Sequence, residues 1–301
     1  MLIPEIMFLP PVLPTTTTTV QFLIVIIVCT PYAFLYLSAS TDPGSITPEN
    51  HSDVLSLYPA DHILYCIPLK QCTTCNLPKP PRSKHCSICK VCVARADHHC
   101  VFINRCVGYN NTHHFILLLL SSSILVGAGV FLGVQFLQTH IPLSHPGFNL
   151  WGAGLSWSNY WPFLSFLLVR WTRVSSITLL CTLMFPLVCA LTGYQIYLIW
   201  AGTTTNETSK WSDMVADIKD GIAFKRALRV EESFGNKSYW PKQARETVAR
   251  TNDGKPPRGK NALALPGQGE WVRVESLHEL DNIYDLGFWH NAADVFMRKN
   301  N

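Results

Sequence analysis

Three long stretches of this chain carry no charged residue: Val20 to Leu37, Phe115 to Leu137 and Val174 to Trp200. A helix needs about 20 apolar residues to cross a bilayer. The pattern therefore predicts three transmembrane helices, over 20–39, 115–137 and 174–200. Pro31 and Pro186 fall inside the first and third, where neighbouring helices satisfy the freed backbone groups. Gly127, Gly129 and Gly133 lie in the second, and small residues at such spacings allow close helix contact. The fold class expected is an all-α polytopic membrane protein, with a small cytosolic cysteine-rich domain between the first and second spans.

The remaining segments are read by composition. Residues 1–19 are rich in Pro and Thr and form an N-terminal arm. Residues 40–71 connect the first span to a cysteine-rich window and open on the turn Asp42-Pro43-Gly44. Residues 138–173 hold Trp151, Trp157, Trp161 and Trp171, an aromatic belt at the membrane interface. Within them, Pro162 to Val169 is apolar but too short to cross. Residues 201–301 form a polar tail. In it, 253–269 reads as a linker, and Ile283, Leu286, Phe288, Trp289, Val295 and Phe296 make an amphipathic stretch that either lies on a surface or docks on the spans.

Charge sets the orientation. Lys70, Lys79, Arg82, Lys84, Lys90, Arg95 and Arg105 lie between the first two spans; the Trp-rich loop has only Arg170 and Arg173, and the arm has none. The positive-inside rule puts the cysteine-rich window (72–114) and the tail on the cytosolic side, with the arm and the Trp-rich loop lumenal. The sequons at Asn110, Asn206 and Asn236 are then cytosolic and expected to stay unglycosylated. Charged residues are 15% of the chain, against about 25% in soluble domains. The net charge of +4 is too small and too dispersed to argue for nucleic acid.

The chemistry concentrates in residues 72–106, which hold seven of the eleven cysteines. Cys72-x2-Cys75 and Cys86-x2-Cys89-x2-Cys92, with His85, His98, His99, Cys100 and Cys106, have the types and spacing of zinc ligands. There are enough for two zincs with groups left over. Asp97, His98 and Cys100 offer a second chemistry. A thiol of pKa about 8.5 is mostly protonated at neutral pH, a histidine in reach takes its proton, and a carboxylate orients that histidine. Two readings stay open on spacing alone. His98 and His99 are both ligands in a structural module, with Asp97 orienting and Cys100 a further ligand or a spare thiol; or Cys100 is a nucleophile on a loop pinned by metal. Cys29, Cys181 and Cys189 are read as buried thiols in the spans. Cys66 is unremarkable apart from a possible accessory acylation. His113 and His114 are read as interfacial.

The window resembles the DHHC cysteine-rich-domain protein S-acyltransferases. The matching pieces are Cys72-x2-Cys75, the run Lys79 to Cys86, Cys86-x2-Cys89-x2-Cys92, Asp97-His98-His99-Cys100, and Asn104-Arg105-Cys106-Val107-Gly108 followed by Asn110 or Asn111 and Phe115. Asp42-Pro43-Gly44, Thr204-Thr205-Asn206-Glu207 and the stretch Asn282 to Asn291 fit further family marks. Thr204 to Glu207 otherwise reads as a helix cap; the resemblance favours packing on the cysteine-rich domain. Ser83-Lys84-His85-Cys86, the Thr-Thr-Asn-Glu run and Lys210-Trp211 look most similar to the fungal spore-wall-formation branch. That branch implies an endoplasmic reticulum membrane with a cytosolic active site, with the Golgi as second choice.

The resemblance implies two structural zinc ions: one on Cys72, Cys75, His85 and Cys92, the other on Cys86, Cys89, His99 and Cys106. It implies Cys100 as nucleophile, His98 as its base and Asp97 as orienter. The implied reaction takes a long-chain acyl group from palmitoyl-CoA to Cys100, then to cysteines beside the spans of SNARE-like membrane proteins. Val101-Phe102 departs from the family's Pro-Trp, and Asn104-Arg105-Cys106 from its Asn-Asn-Cys. The family has four spans where three are counted, so a first span is expected to be missing. The readings in competition are a zinc-scaffolded membrane adaptor without chemistry and, more weakly, a RING-like ubiquitin ligase.

Overall fold

In a computed structural model, residues 2–140, 157–228, 240–259 and 265–297 are described. Residues 141–156 of the Trp-rich loop, Trp151 among them, the sequon Asn236, and 260–264 of the expected linker lie outside them. The chain divides into two compact units, residues 1–36 with 116–194, and 37–115 with 195–301.

Among the described residues, three helices are long and apolar enough to cross a membrane: α2 (Thr18–Ser40), α4 (Thr112–Thr139) and α6 (Thr172–Trp200). Each extends the expected span by up to three residues at an end. Two further helices stand where none was expected. α1 (Leu2–Val12) occupies the N-terminal arm, despite Pro10 and Pro11. α5 (Trp157–Arg170) occupies part of the Trp-rich loop and leads into α6.

In the first unit, Phe8, Val12, Ile24, Leu132, Phe136, Leu137 and Val174 form one buried cluster. The glycines of α4 act as the sequence reading held. A Cβ on Gly133 would overlap Thr178, and one on Gly127 would lie 2.9 Å from the Phe185 ring. The backbones of α4 and α6 therefore approach within reach of a Ser123–Thr192 hydrogen bond of 3.0 Å.

The second unit contains sheet as well as helix, so the all-α expectation holds for the membrane part and needs an addition here. β1 (Ser45–Ile46) precedes α3 (His51–Leu57) and pairs with β2 (Lys84–Cys86) and β3 (Val91–Val93) in the order β1-β3-β2, and β4 (His98–Cys100) pairs with β5 (Arg105–Val107). The described part of the polar tail also forms helix and sheet. α7 (Thr205–Lys219) is followed by β6 (Ala223–Ala227), β7 (Glu246–Arg250) and β8 (Gln268–Arg273), an antiparallel sheet in the order β7-β6-β8. β8 begins inside the segment read as a linker. α8 (Phe288–Phe296) closes the described chain. It is docked: Asn291 Nδ2 donates to the Trp200 carbonyl at 3.3 Å, and Asn282 Nδ2 to that of Ala201 at 3.1 Å.

Candidate active site and metal centres

The cysteine-rich segment is three tight hairpins, each displaced by fourteen residues from the last. Cys72 pairs through its N–H with the Leu77 carbonyl, Cys86 stands opposite Val91, and Cys100 opposite Arg105. Each turn closes on a residue in the left-handed region: Asn76 (φ 54°), Lys90 (φ 56°) and Asn104 (φ 49°). Such backbone costs non-glycine residues energy, and asparagine least among them.

This repetition builds two quartets, Cys72, Cys75, His85, Cys92 and Cys86, Cys89, His99, Cys106, each with ligand atoms close enough to hold one metal ion. The hairpin register is the reason: His85 lies opposite Cys92 and His99 opposite Cys106. The quartets interleave because each takes two cysteines from one hairpin and a Cys/His pair from the next. His85 Nδ1 lies 3.5, 3.4 and 3.7 Å from the sulfurs of Cys72, Cys75 and Cys92. His99 Nδ1 lies 3.6, 3.4 and 3.7 Å from those of Cys86, Cys89 and Cys106. Bonds of about 2.3 Å to sulfur and about 2.0 Å to nitrogen give a tetrahedral edge of about 3.6 Å, so the donor sets fit zinc.

His98 and Cys100 fall outside both quartets. Asp97 Oδ2 is 2.6 Å from His98 Nδ1, and a ring edge of Phe115 packs on the imidazole. Asp97 is itself held from the tail: the Thr205 N–H donates to Oδ1 at 2.5 Å and the Thr205 hydroxyl to Oδ2 at 3.1 Å. Burial opposes the charge on Asp97, but bonds from His98 and Thr205 carry its carboxyl below the usual range. For His98, burial favours the neutral ring; Asp97 and Cys100 outweigh it and push the imidazole up to about 9. Cys100 is buried, which raises a thiol, yet the bond to His98 and the N–H groups of Ile103 and Phe102 bring it below its ordinary value. The arrangement favours a thiolate beside an imidazolium.

Thr205 can reach Asp97 because α7 starts there. Thr204 and Glu207 form a reciprocal capping box at its N-terminus, and Glu207 also binds Arg82 through Nε (2.8 Å) and Nη2 (2.7 Å). Both side chains are 1% exposed. Arg82 further donates to the Gly202 carbonyl at 3.1 Å and lies against the rings of Tyr58 and Tyr284. The cap and packing readings of Thr204 to Glu207 are thus both true, and one residue serves each. Arg82 and its aromatic clamp escaped the sequence reading, where Arg82 was one of seven basic residues.

Beside α7 lies a cavity of about 610 Å³ bordered by Lys70, Lys79, Lys84, Lys210 and Arg250, with Asp213 the one acid among its described lining. Asn206 Nδ2 is buried there without a hydrogen-bond partner. Burial, reinforced by Lys84 and Lys70 against Glu207 and Asp61, takes the Lys210 ammonium down to about 8.

Span-length apolar helices and a hairpin repeat with two zinc-fitting quartets define a membrane protein with a metal-binding cysteine-rich domain. The DHHC palmitoyltransferase family matches residues 66–212. Palmitoyltransferase SWF1 of Neurospora crassa is 42% identical over 97% of this chain and 72% of its own length. Palmitoyltransferase swf1 of Aspergillus fumigatus is 38% identical over 97% and 82%, and that of Schizosaccharomyces pombe 31% identical over 87% and 62%. The chain belongs to the DHHC palmitoyltransferase family, and is an enzyme of protein S-acyl transfer.

Proposed function

We propose that Cys100 is the acyl-carrying nucleophile, that His98 holds and returns its proton, and that Asp97 orients His98. The observation that carries this reading is the hydrogen-bonded line Thr205–Asp97–His98, which with Cys100 stands apart from both metal quartets. In the first step Cys100 Sγ attacks the carbonyl carbon of a long-chain acyl-CoA. A new C–S bond forms, the bond to CoA sulfur breaks, and the proton on His98 goes to the departing CoA thiolate. In the second step a substrate cysteine gives its proton to His98, its thiolate attacks the acyl carbonyl, and Cys100 leaves as thiolate beside the imidazolium.

Cys72, Cys75, His85 and Cys92 would hold one zinc, and Cys86, Cys89, His99 and Cys106 the other. The metal supplies a structural clamp for hairpins that have little apolar core. The donor is read as palmitoyl-CoA, and each unit taken by itself has a cavity whose lining suits one chemical part of such a molecule. The basic cavity beside α7 suits the CoA phosphates. In the first unit, a cavity of about 190 Å³ lined by Ile24, Val28, Leu125, Leu132 and Leu180 suits an acyl chain, whose burial is worth about 0.8 kcal/mol per CH2.

The acceptors are read as cysteines beside the spans of SNARE-like membrane proteins. The endoplasmic reticulum membrane is the site of action, with the Golgi second. Residues 40–114 and 201–301 are read as cytosolic, and 1–19 and 138–173 as lumenal.

The test is acylation of the purified full chain by labelled palmitoyl-CoA, beside Cys100→Ala, with zinc measured on both. Hydroxylamine-sensitive label on the wild type alone, with about two zincs on each, is expected. No label on either, zinc retained, would refute the nucleophile and leave the adaptor reading. Zinc lost from Cys100→Ala would make Cys100 a ligand.

A further inference from the structure

The first unit holds two arginines and no lysine among residues 1–36 and 116–194: Arg170 and Arg173. They stand three residues apart, at the end of α5 and the start of α6, and both line one cleft of about 390 Å³. Its other wall is apolar and comes from α1, including Met7, Pro10 and Pro11. Arg170 lies over the Trp171 ring, 4.9 Å from its centroid.

No carboxylate of this unit answers the two guanidiniums. Its single acidic side chain is Glu5, which accepts from the Tyr32 hydroxyl at 3.0 Å. Neither arginine forms an ion pair among the described residues. Basic residues are avoided at non-cytosolic helix ends, and under the orientation proposed above this is the lumenal end. Two uncompensated charges on an otherwise basic-free unit, meeting in one half-apolar cleft at a span terminus, call for an anion with a hydrocarbon body.

The geometry points to a binding site for the phosphate of an anionic glycerophospholipid. Arg170 and Arg173 would take the phosphate oxygens, as guanidinium forks do. Trp171 would lie at headgroup level, and Met7, Pro10 and Pro11 would cover the glycerol and the first acyl carbons. The acyl-transfer site is in the other unit and has no part in this inference.

The test is thermal unfolding of the purified full chain in a zwitterionic detergent, titrated with dioctanoyl phosphatidic acid, dioctanoyl phosphatidylcholine or inorganic phosphate. Phosphatidic acid at about a hundredfold over its Kd should raise Tm by about 5 °C or more. Arg170→Gln/Arg173→Gln should lose that shift, with binding weakened at least tenfold, whereas Lys255→Gln/Arg258→Gln should keep it. An equal shift from inorganic phosphate would overturn the lipid source in favour of a free anion. An equal shift from phosphatidylcholine, or one that survives in the arginine variant, would overturn the site. Should the arginine variant not fold, a diazirine phosphatidic acid is photolysed on the wild type. Label mapped to peptides containing 4–11 or 169–174 supports the site, and label confined elsewhere overturns it.

Discussion

Removing one partner of the Arg82–Glu207 pair tests how the start of α7 is held against Asp97 and His98. Glu207→Gln leaves a guanidinium that is 1% exposed facing a neutral amide. Two short charged hydrogen bonds become at most one neutral one, while the Gly202 carbonyl and the rings of Tyr58 and Tyr284 cannot supply the missing charge. An orphaned buried charge of this kind costs about 3–5 kcal/mol, and weakening the α7 capping box adds about 1 kcal/mol. In a unit of this size each kcal/mol moves Tm by about 2–4 °C, so a loss of about 10 °C is expected. Burial alone would raise the Glu207 carboxyl, but the Arg82 charge and its hydrogen bonds hold it below the usual range. A depressed carboxyl stabilises above its unfolded pKa of about 4.3, and that contribution disappears as pH falls through the folded value. The Glu207 carboxyl itself should therefore add no pH dependence to the gap between wild type and variant from pH 6 to 8. The assay is scanning fluorimetry of the zinc-loaded protein, read beside single-turnover acylation. Acylation should slow at temperatures where the variant is still folded, because the start of α7 also holds Asp97. Arg82→Met/Glu207→Leu should recover most of the lost Tm, since an apolar pair removes the orphaned charge. A shift under about 2 °C for Glu207→Gln would refute the argument, as would a double variant less stable than the single.

Asp97→Asn should slow acyl-enzyme formation about 10²–10⁴-fold with zinc content unchanged, because the amide can present its N–H to His98 and favour the wrong tautomer; single-turnover labelling measures it. Asp61 is fully buried, accepts N–H bonds from Ile63, Leu64 and Tyr65 on one oxygen, and leaves the other without a partner. Burial, aided by Glu207 and opposed by those N–H groups, pushes its carboxyl up to about 6. A raised carboxyl favours folding below its unfolded pKa, an advantage lost as pH rises through the folded value. Asp61→Asn should thus be more stable than wild type at pH 8 by about 3 kcal/mol, with the gap closing below pH 6 in denaturant titrations. Gly108→Ala would place a methyl 2.5 Å from the Pro43 carbonyl and from Val93. Backbone on one side cannot yield, so the variant should lose metal and resist expression, as zinc analysis of the soluble fraction would reveal.

The spans were legible because an uninterrupted apolar run of span length has few other uses. α1 was missed since Pro10-Pro11 reads as a breaker, yet its apolar residues pack on α2 and α4 in one cluster. The ligand types were plain in the sequence but their pairing was not. Nearness along the chain favours Cys72, Cys75, Cys86 and Cys89 together, whereas hairpin register brings His85 to Cys92 and His99 to Cys106. Thr205 and Glu207 act on Asp97 and Arg82 more than a hundred residues earlier, a distance across which no local pattern speaks. The β6-β7-β8 sheet hid for a different reason. Its strands are short and half charged, as in Lys225-Arg226 and Glu270, and lack the clean alternation that marks a strand.

The fourteen-residue period repeats one hairpin geometry three times but builds two metal quartets. Cys100 occupies, in the last hairpin, the position that Cys72 and Cys86 occupy as ligands in the first two, and it receives the same kind of N–H donation from its own turn. The partners a third quartet would require fall at Ile103, His113 and Leu120, and the chain has by then turned into α4. The sulfur proposed to react stands in this sense at a ligand position outside both metal quartets, its pKa lowered by His98 and by N–H groups of its own turn. Ile103→Cys would restore the C-x2-C pair, and a zinc-inhibited enzyme reawakened by a mild chelator is the result to look for.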